Sequence, residues 1–182
     1  MIDVGTLISS DYLQLQKQLH ASPRGYGECG DKWARTVAQV ADLYGAGSIL
    51  DYGCGQGSLV RALRKMGRGW RLAEYDPAIA GKSGPPAFAD MVVCTDVLEH
   101  IEPDRLDRVL AHIKSLMRKV GFLVIATRPA NKVLADGRNA HLIIEPGDWW
   151  EARVQAAGFT LQPLPAIERQ KPAKEWVGVV TC

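Results

Sequence analysis

SILDYGCGQGSLVRALRKMG, residues 48–67, changes character partway along its length. Residues 48–53 are a short apolar run that reads as a buried strand. Residues 57–67 place Leu59, Val60 and Leu63 on one face of an amphipathic helix that Gly67 and Gly69 bring to a stop. Between the two lie Gly53, Gly55 and Gly57. Without side chains there, the turn can be tight and its backbone N–H groups can approach a ligand. A strand, a glycine turn and a helix in this order open a βαβ unit. The turn has no G-K-[ST], so it is not the phosphate loop of an NTPase. It also departs from G-x-G-x-x-G, because its third glycine comes one position early.

The elements that follow continue the alternation. WRLAEYD, 70–76, reads as a second strand ending in acid. Asp76 lies nineteen residues beyond Gly57, where a carboxylate can take the two hydroxyls of a ribose. That suits an adenosine-bearing ligand across the carboxyl ends of the strands. ADMVVCTD, 89–96, is a third strand. PDRLDRVLAHIKSLMRK, 103–119, is the longest expected helix, with Pro103 in its first turn and basic residues at its end. GFLVIAT, 121–127, is apolar throughout, as the centre of a parallel sheet requires. PGDWWEARVQAAG, 146–158, is a helix, on which Trp149 and Trp150 cannot share a face. FTLQPL and EWVGVVT, joined by ERQKPAK, read as an antiparallel hairpin at the sheet edge. Upstream, residues 6–20 and 33–44 carry helical patterns. The expected fold is α/β and Rossmann-like, with a mostly parallel central sheet.

Bulk properties narrow the function. The length of 182 residues suits one domain, 1–182, with an N-terminal helix and lid-like segment over 1–32 and a core over 33–182. A net charge of +2 disfavours non-specific binding of duplex DNA. Arg61, Arg64, Lys65, Arg68 and Arg71 form a local cluster that reads either as a polyanion contact or as a solvated helix face. Cys29, Cys54, Cys94 and Cys182 show no C-x2-C spacing, and Cys54 and Cys94 sit beside apolar runs as small core residues. No positive segment followed by an apolar core opens the chain, and no run approaches roughly 18 apolar residues. A cytoplasmic location without a membrane partner is therefore expected. Nothing in the sequence addresses oligomeric state.

DYGCGQG, then YDP, then ADMVVCTDVLEHIEP together resemble the class I S-adenosylmethionine-dependent methyltransferases over about residues 33–181. The resemblance implies S-adenosylmethionine as cofactor. It places Asp51 near the sulfonium and amino acid portion, the three glycines with Cys54 and Thr95 along the cofactor, and Asp76 on its ribose. The terminal hairpin is also a family feature. Only thirteen residues separate Asp76 from Asp90, where the family usually fits a helix and a further strand, so this region is expected to be shortened. YGECGDKW, 26–33, reads either as a lid over the cofactor or as a turn with Trp33 anchoring the next helix.

The acceptor must be read from CTDVLEH, 94–100, and DGRNAHLII, 136–144. There is no [DNS]-P-P-[YFW] signature of DNA amino-methyltransferases and no Pro-Cys nucleophile of the cytosine C5 type. Asp96, Glu99 and His100 lie in one turn beyond the third strand, and His141 in a loop at the same sheet edge. Two carboxylates and two imidazoles suit Mg²⁺ or Mn²⁺, which would hold vicinal oxygens and acidify a hydroxyl. The same set resembles that of the small-RNA 3′-terminal 2′-O-methyltransferases, with aspartate in place of the first glutamate. Its first three residues resemble those of the ubiquinone-pathway O-methyltransferases. Metal-free relatives also carry V-L-E-H, where the Glu and His shape the pocket or act as a base; by that reading His100 or His141 is the base here, or the cluster is structural. Arg128, Asn131, Lys132, Arg138 and Asn139 in the basic loop suit a phosphate or carboxylate, or belong to a solvated surface loop. The expected activity is O-methylation of a small anionic or nucleotide-like acceptor. RNA ribose methylation is an alternative, and a non-catalytic, cofactor-binding regulatory partner is another.

Overall fold

The computed structural model describes residues 6–22, 26–164 and 174–182. Six strands form one sheet in the order β2-β1-β3-β4-β6-β5. β1 is Ser48–Tyr52, β2 Arg71–Tyr75, β3 Ala89–Thr95, β4 Met117–Ala126, β5 Thr160–Gln162 and β6 Glu175–Thr181. The first four run parallel, and β6 and β5 add on antiparallel. This is the expected Rossmann-like sheet with its terminal hairpin. Residues 168–173 of the expected link lie outside the described residues. β1 and almost all of β3 are buried, as the continuous apolar runs require.

Helices cover both faces. α2 (Ala34–Leu43) and α3 (Ser58–Lys65) pack on one face through Val37, Val40, Leu59 and Leu63. α4 (Leu106–Leu116) and α5 (Gly147–Ala156) pack on the other through Leu110, Ile113, Trp150 and Val154. Trp150 is fully buried while Trp149 lies at the margin of that cluster.

Two expectations need correction or refinement. The helix expected over 103–119 is a 3₁₀ turn over Pro103–Arg105 and then α4, which ends at Leu116. Met117 is already extended and pairs with Ala89. Register with β3 overrides the local helical preference of the Met-Arg-Lys segment, whose two basic residues are exposed at the start of β4. Between Tyr75 and Ala89 there is neither helix nor strand, so β2 is an edge strand and the anticipated shortening is complete.

α1 (Ser10–His20) belongs to neither face. Ser9 caps it, its hydroxyl accepting from the Tyr12 N–H at 3.2 Å. Tyr12 and Leu19 pack with Leu134 and Ala140 from the loop after β4. The helix is thus laid over the carboxyl edge of the sheet, against the loop that carries His141.

Candidate active site

A cavity of about 540 Å³ opens at the carboxyl ends of β1, β2, β3 and β4. Its floor is the glycine turn. Gly53, Gly55 and Gly57 all have positive φ, at 76°, 49° and 77°. The turn's N–H groups are already satisfied by protein: Gly53 and Cys54 donate to the Tyr75 carbonyl, Gly55 to the Asp76 carboxylate and Gln56 to the Gly27 carbonyl. A Cβ on Gly53 would meet Val97, and one on Gly57 would meet Glu74 and Lys82. On Gly55 it would lie 2.6 Å from the Gly27 oxygen. The glycines therefore admit neighbouring protein, and that packing shapes the cavity floor.

Asp51, the penultimate residue of β1, is almost wholly buried at the cavity. Burial pushes its carboxyl up to about 7, and Glu74 adds to the effect. Asp76 accepts from Gly55 N–H at 3.0 Å and Ala78 N–H at 2.9 Å. Each of its oxygens keeps a lone pair for a ligand. Thr95 and Cys54 also line the cavity, and burial raises the Cys54 thiol far above its usual range. All four cysteines are unpaired.

Beyond β3 the four expected ligands separate into three and one. Atoms of Glu99, His100 and His141 lie within 4.8 Å of one another. Asp96 does not join them. Its φ of 55° turns its carboxylate to Lys32, 3.1 Å away, and Lys32 also holds Glu175 at 3.1 Å. Burial works to lower Lys32, but Asp96 and Glu175 outweigh it and hold the ammonium above its usual range.

Glu99 is fully buried. One carboxyl oxygen accepts from Ala126 N–H at 2.9 Å, and the other has no hydrogen-bond partner. Burial, then Asp96, pushes this carboxyl up to about 8. His100 brings Nδ1 to 2.6 Å from the Ala140 carbonyl, and His141 brings Nδ1 to 2.5 Å from the Arg128 carbonyl. A carbonyl can only accept, so each Nδ1 carries the proton and each Nε2 presents a lone pair. The two rings meet edge to face at 4.7 Å. Burial, with His141 adding to it, lowers His100 to about 3. Burial lowers His141 as well. Both imidazoles are neutral at pH 7.

The basic loop is divided in its roles. Arg128, Asn131 and Lys132 line the cavity. Arg138 is paired with Asp136 at 2.7 Å and lies over the Tyr12 ring. Asn139 staples the loop, exchanging hydrogen bonds with Ala130 and accepting from His141 N–H.

Tyr12, Gln16 and His20, which no sequence motif marks as site residues, also line the cavity. Gln16 donates to the Tyr12 hydroxyl and that hydroxyl donates to the His100 carbonyl, both at 2.6 Å. Their i, i+4, i+8 spacing was the available signal. The 26–33 segment reaches both the cavity and the core. Tyr26, Gly27 and Lys32 line the cavity, and Trp33 packs edge to face on Phe122.

This sheet order, an acid before a glycine turn after β1 and a second acid after β2 define a Rossmann-like class I S-adenosylmethionine-dependent methyltransferase fold. Residues 26–170 match the methyltransferase domain family, and the chain belongs to it. A 3-amino-4-hydroxybenzoate 4-O-methyltransferase from Streptomyces cremeus is 24% identical over 172 residues, covering 76% of this chain. The chain spans about half of that protein, 47% of its length. The fold is similar to that of a Burkholderia thailandensis 1,6-didemethyltoxoflavin-N1-methyltransferase, solved with 1,6-didemethyltoxoflavin and S-adenosylhomocysteine. The TM-score is 0.64 at 17% identity, over 98% of this chain and 92% of that one. It is also similar to that of DhpI in complex with S-adenosylhomocysteine, with a TM-score of 0.62 at 16% identity, over 96% and 98% of the two chains. No described helix is long and apolar enough to cross a membrane.

Proposed function

We propose that the chain transfers a methyl group from S-adenosylmethionine to a hydroxyl of a small anionic acceptor, with His141 as general base. The observation that carries this reading is the His141 imidazole, whose Nδ1–H is tied to the Arg128 carbonyl and whose Nε2 lone pair is left for a ligand, whereas the Tyr26 hydroxyl stands 3.4 Å from the His100 Nε2. The cavity volume, the Asp51 carboxyl and the free lone pairs of Asp76 fit the cofactor. The cofactor supplies an electrophilic methyl on a positively charged sulfur. The protein must orient a hydroxyl toward it and accept the proton as the bond forms. His141 suits that task better than His100, whose basicity is suppressed to about 3. His100 then orients the acceptor as a hydrogen-bond partner. Arg128 and Asn131 at the cavity wall suit an acidic substituent. An aromatic hydroxy acid meets these requirements, and the Streptomyces relative is named for one.

A second reading has its own observation. The unpartnered oxygen of buried Glu99 lies with two imidazole nitrogens, a set that would hold Mg²⁺ or Mn²⁺ without Asp96. Such an ion would acidify the acceptor hydroxyl.

The test is transfer from labelled S-adenosylmethionine to hydroxybenzoates, catechols, amines, nucleotides and RNA oligomers, with mass spectrometry locating the methyl. An O-methylated hydroxy acid or nucleotide is expected. Methylation only on nitrogen, or only of RNA, would refute the acceptor assignment. Activity unchanged by exhaustive chelation favours His141 acting without a metal, whereas loss restored by Mg²⁺ favours the ion.

A further inference from the structure

His20 ends α1 with its side chain buried at the cavity wall. Its Nδ1 is sealed from solvent and has no hydrogen-bond partner. The ring is fixed from two sides. Tyr26 meets it edge to face at 4.8 Å, and a Cβ on Gly27 would lie 3.0 Å from its Cε1. Its Nε2 stands 4.0 Å from Asp76 Oδ2. That separation is too long for a hydrogen bond and too short to hold a separate layer of protein. A buried polar ring this well fixed, with no side chain hydrogen-bonded to it, requires explanation.

The gap fits one hydroxyl. An oxygen about 2.8 Å from both Nε2 and Oδ2 closes a triangle with an apex near 90°, within the range that hydroxyl hydrogen bonds adopt. The Asp76 oxygens each accept one backbone N–H and keep a lone pair. A hydroxyl in the gap would donate to Asp76 while Nε2–H donates to its oxygen. The hydroxyl has one proton, so it serves both side chains only in the tautomer that carries Nε2–H.

We propose that His20 is the second arm of a clamp on the cofactor's ribose, sharing with Asp76 one of the two vicinal hydroxyls. This rests on the cofactor reading above. It gives α1 a binding role, because the helix that covers the acceptor end of the cavity also closes on the ribose.

The experiment is calorimetric titration of S-adenosylhomocysteine and its 2′-deoxy and 3′-deoxy forms into wild type, His20→Phe and His20→Gln. Phenylalanine keeps the ring against Tyr26 and removes the nitrogens. Wild type should bind one deoxy form much more weakly than the parent. In His20→Phe the parent should bind about tenfold more weakly, and the ratio between parent and that deoxy form should shrink by about tenfold. His20→Gln, which retains a donor and an acceptor, should recover part of the ratio. Should the phenylalanine variant not fold, His20→Ala gives the same comparison. Wild-type ratios in the variants lacking the nitrogens would overturn the proposal, as would a wild type indifferent to both deoxy forms. No binding of S-adenosylhomocysteine by wild type would overturn the cofactor reading itself, and this inference with it.

Discussion

Gly55→Ala tests how the covering segment is joined to the glycine turn. Gly55 has φ 49°, and its Cβ would lie 2.6 Å from the Gly27 oxygen and 2.8 Å from the Gly27 Cα. Both obstacles are backbone, so no side chain can swing aside. A left-handed alanine costs about 1–2 kcal/mol. Displacing Gly27 also breaks the 2.9 Å bond from Gln56 N–H to its carbonyl, which adds about 1–2 kcal/mol. The expected loss is about 2–4 kcal/mol. Gly67→Ala is the control, because Gly67 has φ 66° with nothing within 4 Å of its Cβ. It should lose only the backbone strain, about 1–2 kcal/mol. Urea unfolding of both variants gives the two values. Calorimetry with S-adenosylhomocysteine should show at least about tenfold weaker binding for Gly55→Ala and no change for Gly67→Ala. Equal stability losses with equal, undiminished affinity would refute the claim that these glycines exist to seat the covering segment.

His141→Ala should lower the transfer rate about 10²–10³-fold while S-adenosylhomocysteine still binds, and a fully active variant would remove His141 as base. His100→Ala should cost less in rate and more in acceptor KM, read from initial rates at varied acceptor. Glu99 has a pKa of about 8 in the fold against an ordinary 4.5, so between those values the folded state holds a proton that the unfolded state has lost. Its contribution to stability is complete below 4.5 and disappears as pH rises through 8. Asp51, at about 7 in the fold, acts in the same direction up to that pH, whereas His100 acts in the opposite direction, below 6.5. The difference between wild type and Glu99→Gln isolates Glu99, and the variant should flatten the fall in urea midpoint as pH rises toward 8. Lys32→Met should weaken S-adenosylhomocysteine only about twofold to fivefold, because the Lys32–Asp96 pair is half-buried and partly screened. High salt should reproduce the effect in wild type.

The parts of the fold that local periodicity encodes were readable from the sequence. β1, α3 and β2 fall within a residue or two of their expected bounds, because an apolar run, three glycines and an amphipathic turn leave few alternatives. The end of α4 was not readable, since pairing with Ala89 determines it and local preference does not. The same holds within the site. His100 and His141 were singled out by residue type and loop position, and the structure brings them together. The departure of Asp96 depends on a positive φ and on a lysine sixty-four residues upstream, neither visible in CTDVLEH. Arg138 and Asn139 looked like ligand-binding residues because a basic polar loop carries no sign of which groups it uses on itself.

Glu99 explains why two histidines from separate segments converge. Its side chain accepts the N–H of Ala126, at the end of β4, and its backbone carbonyl accepts the N–H groups of Leu142 and Ile143. It therefore ties the turn after β3 to the end of β4 and to the loop that returns behind it. His100 is its neighbour in sequence, and His141 immediately precedes Leu142. Both imidazoles are set by bonds that pass through one residue, and each is then aimed by its own carbonyl, Ala140 or Arg128. A protonated Glu99 is suited to this, because a neutral carboxyl can be buried without a counter-charge. The three N–H bonds require only its oxygens as acceptors, which glutamine also offers. Glu99→Gln should therefore keep the imidazoles in place and leave a metal-free reaction nearly intact. A divalent ion would lose an anionic ligand in the same variant. One substitution thus separates a carboxyl that positions two histidines from a carboxylate that binds a metal.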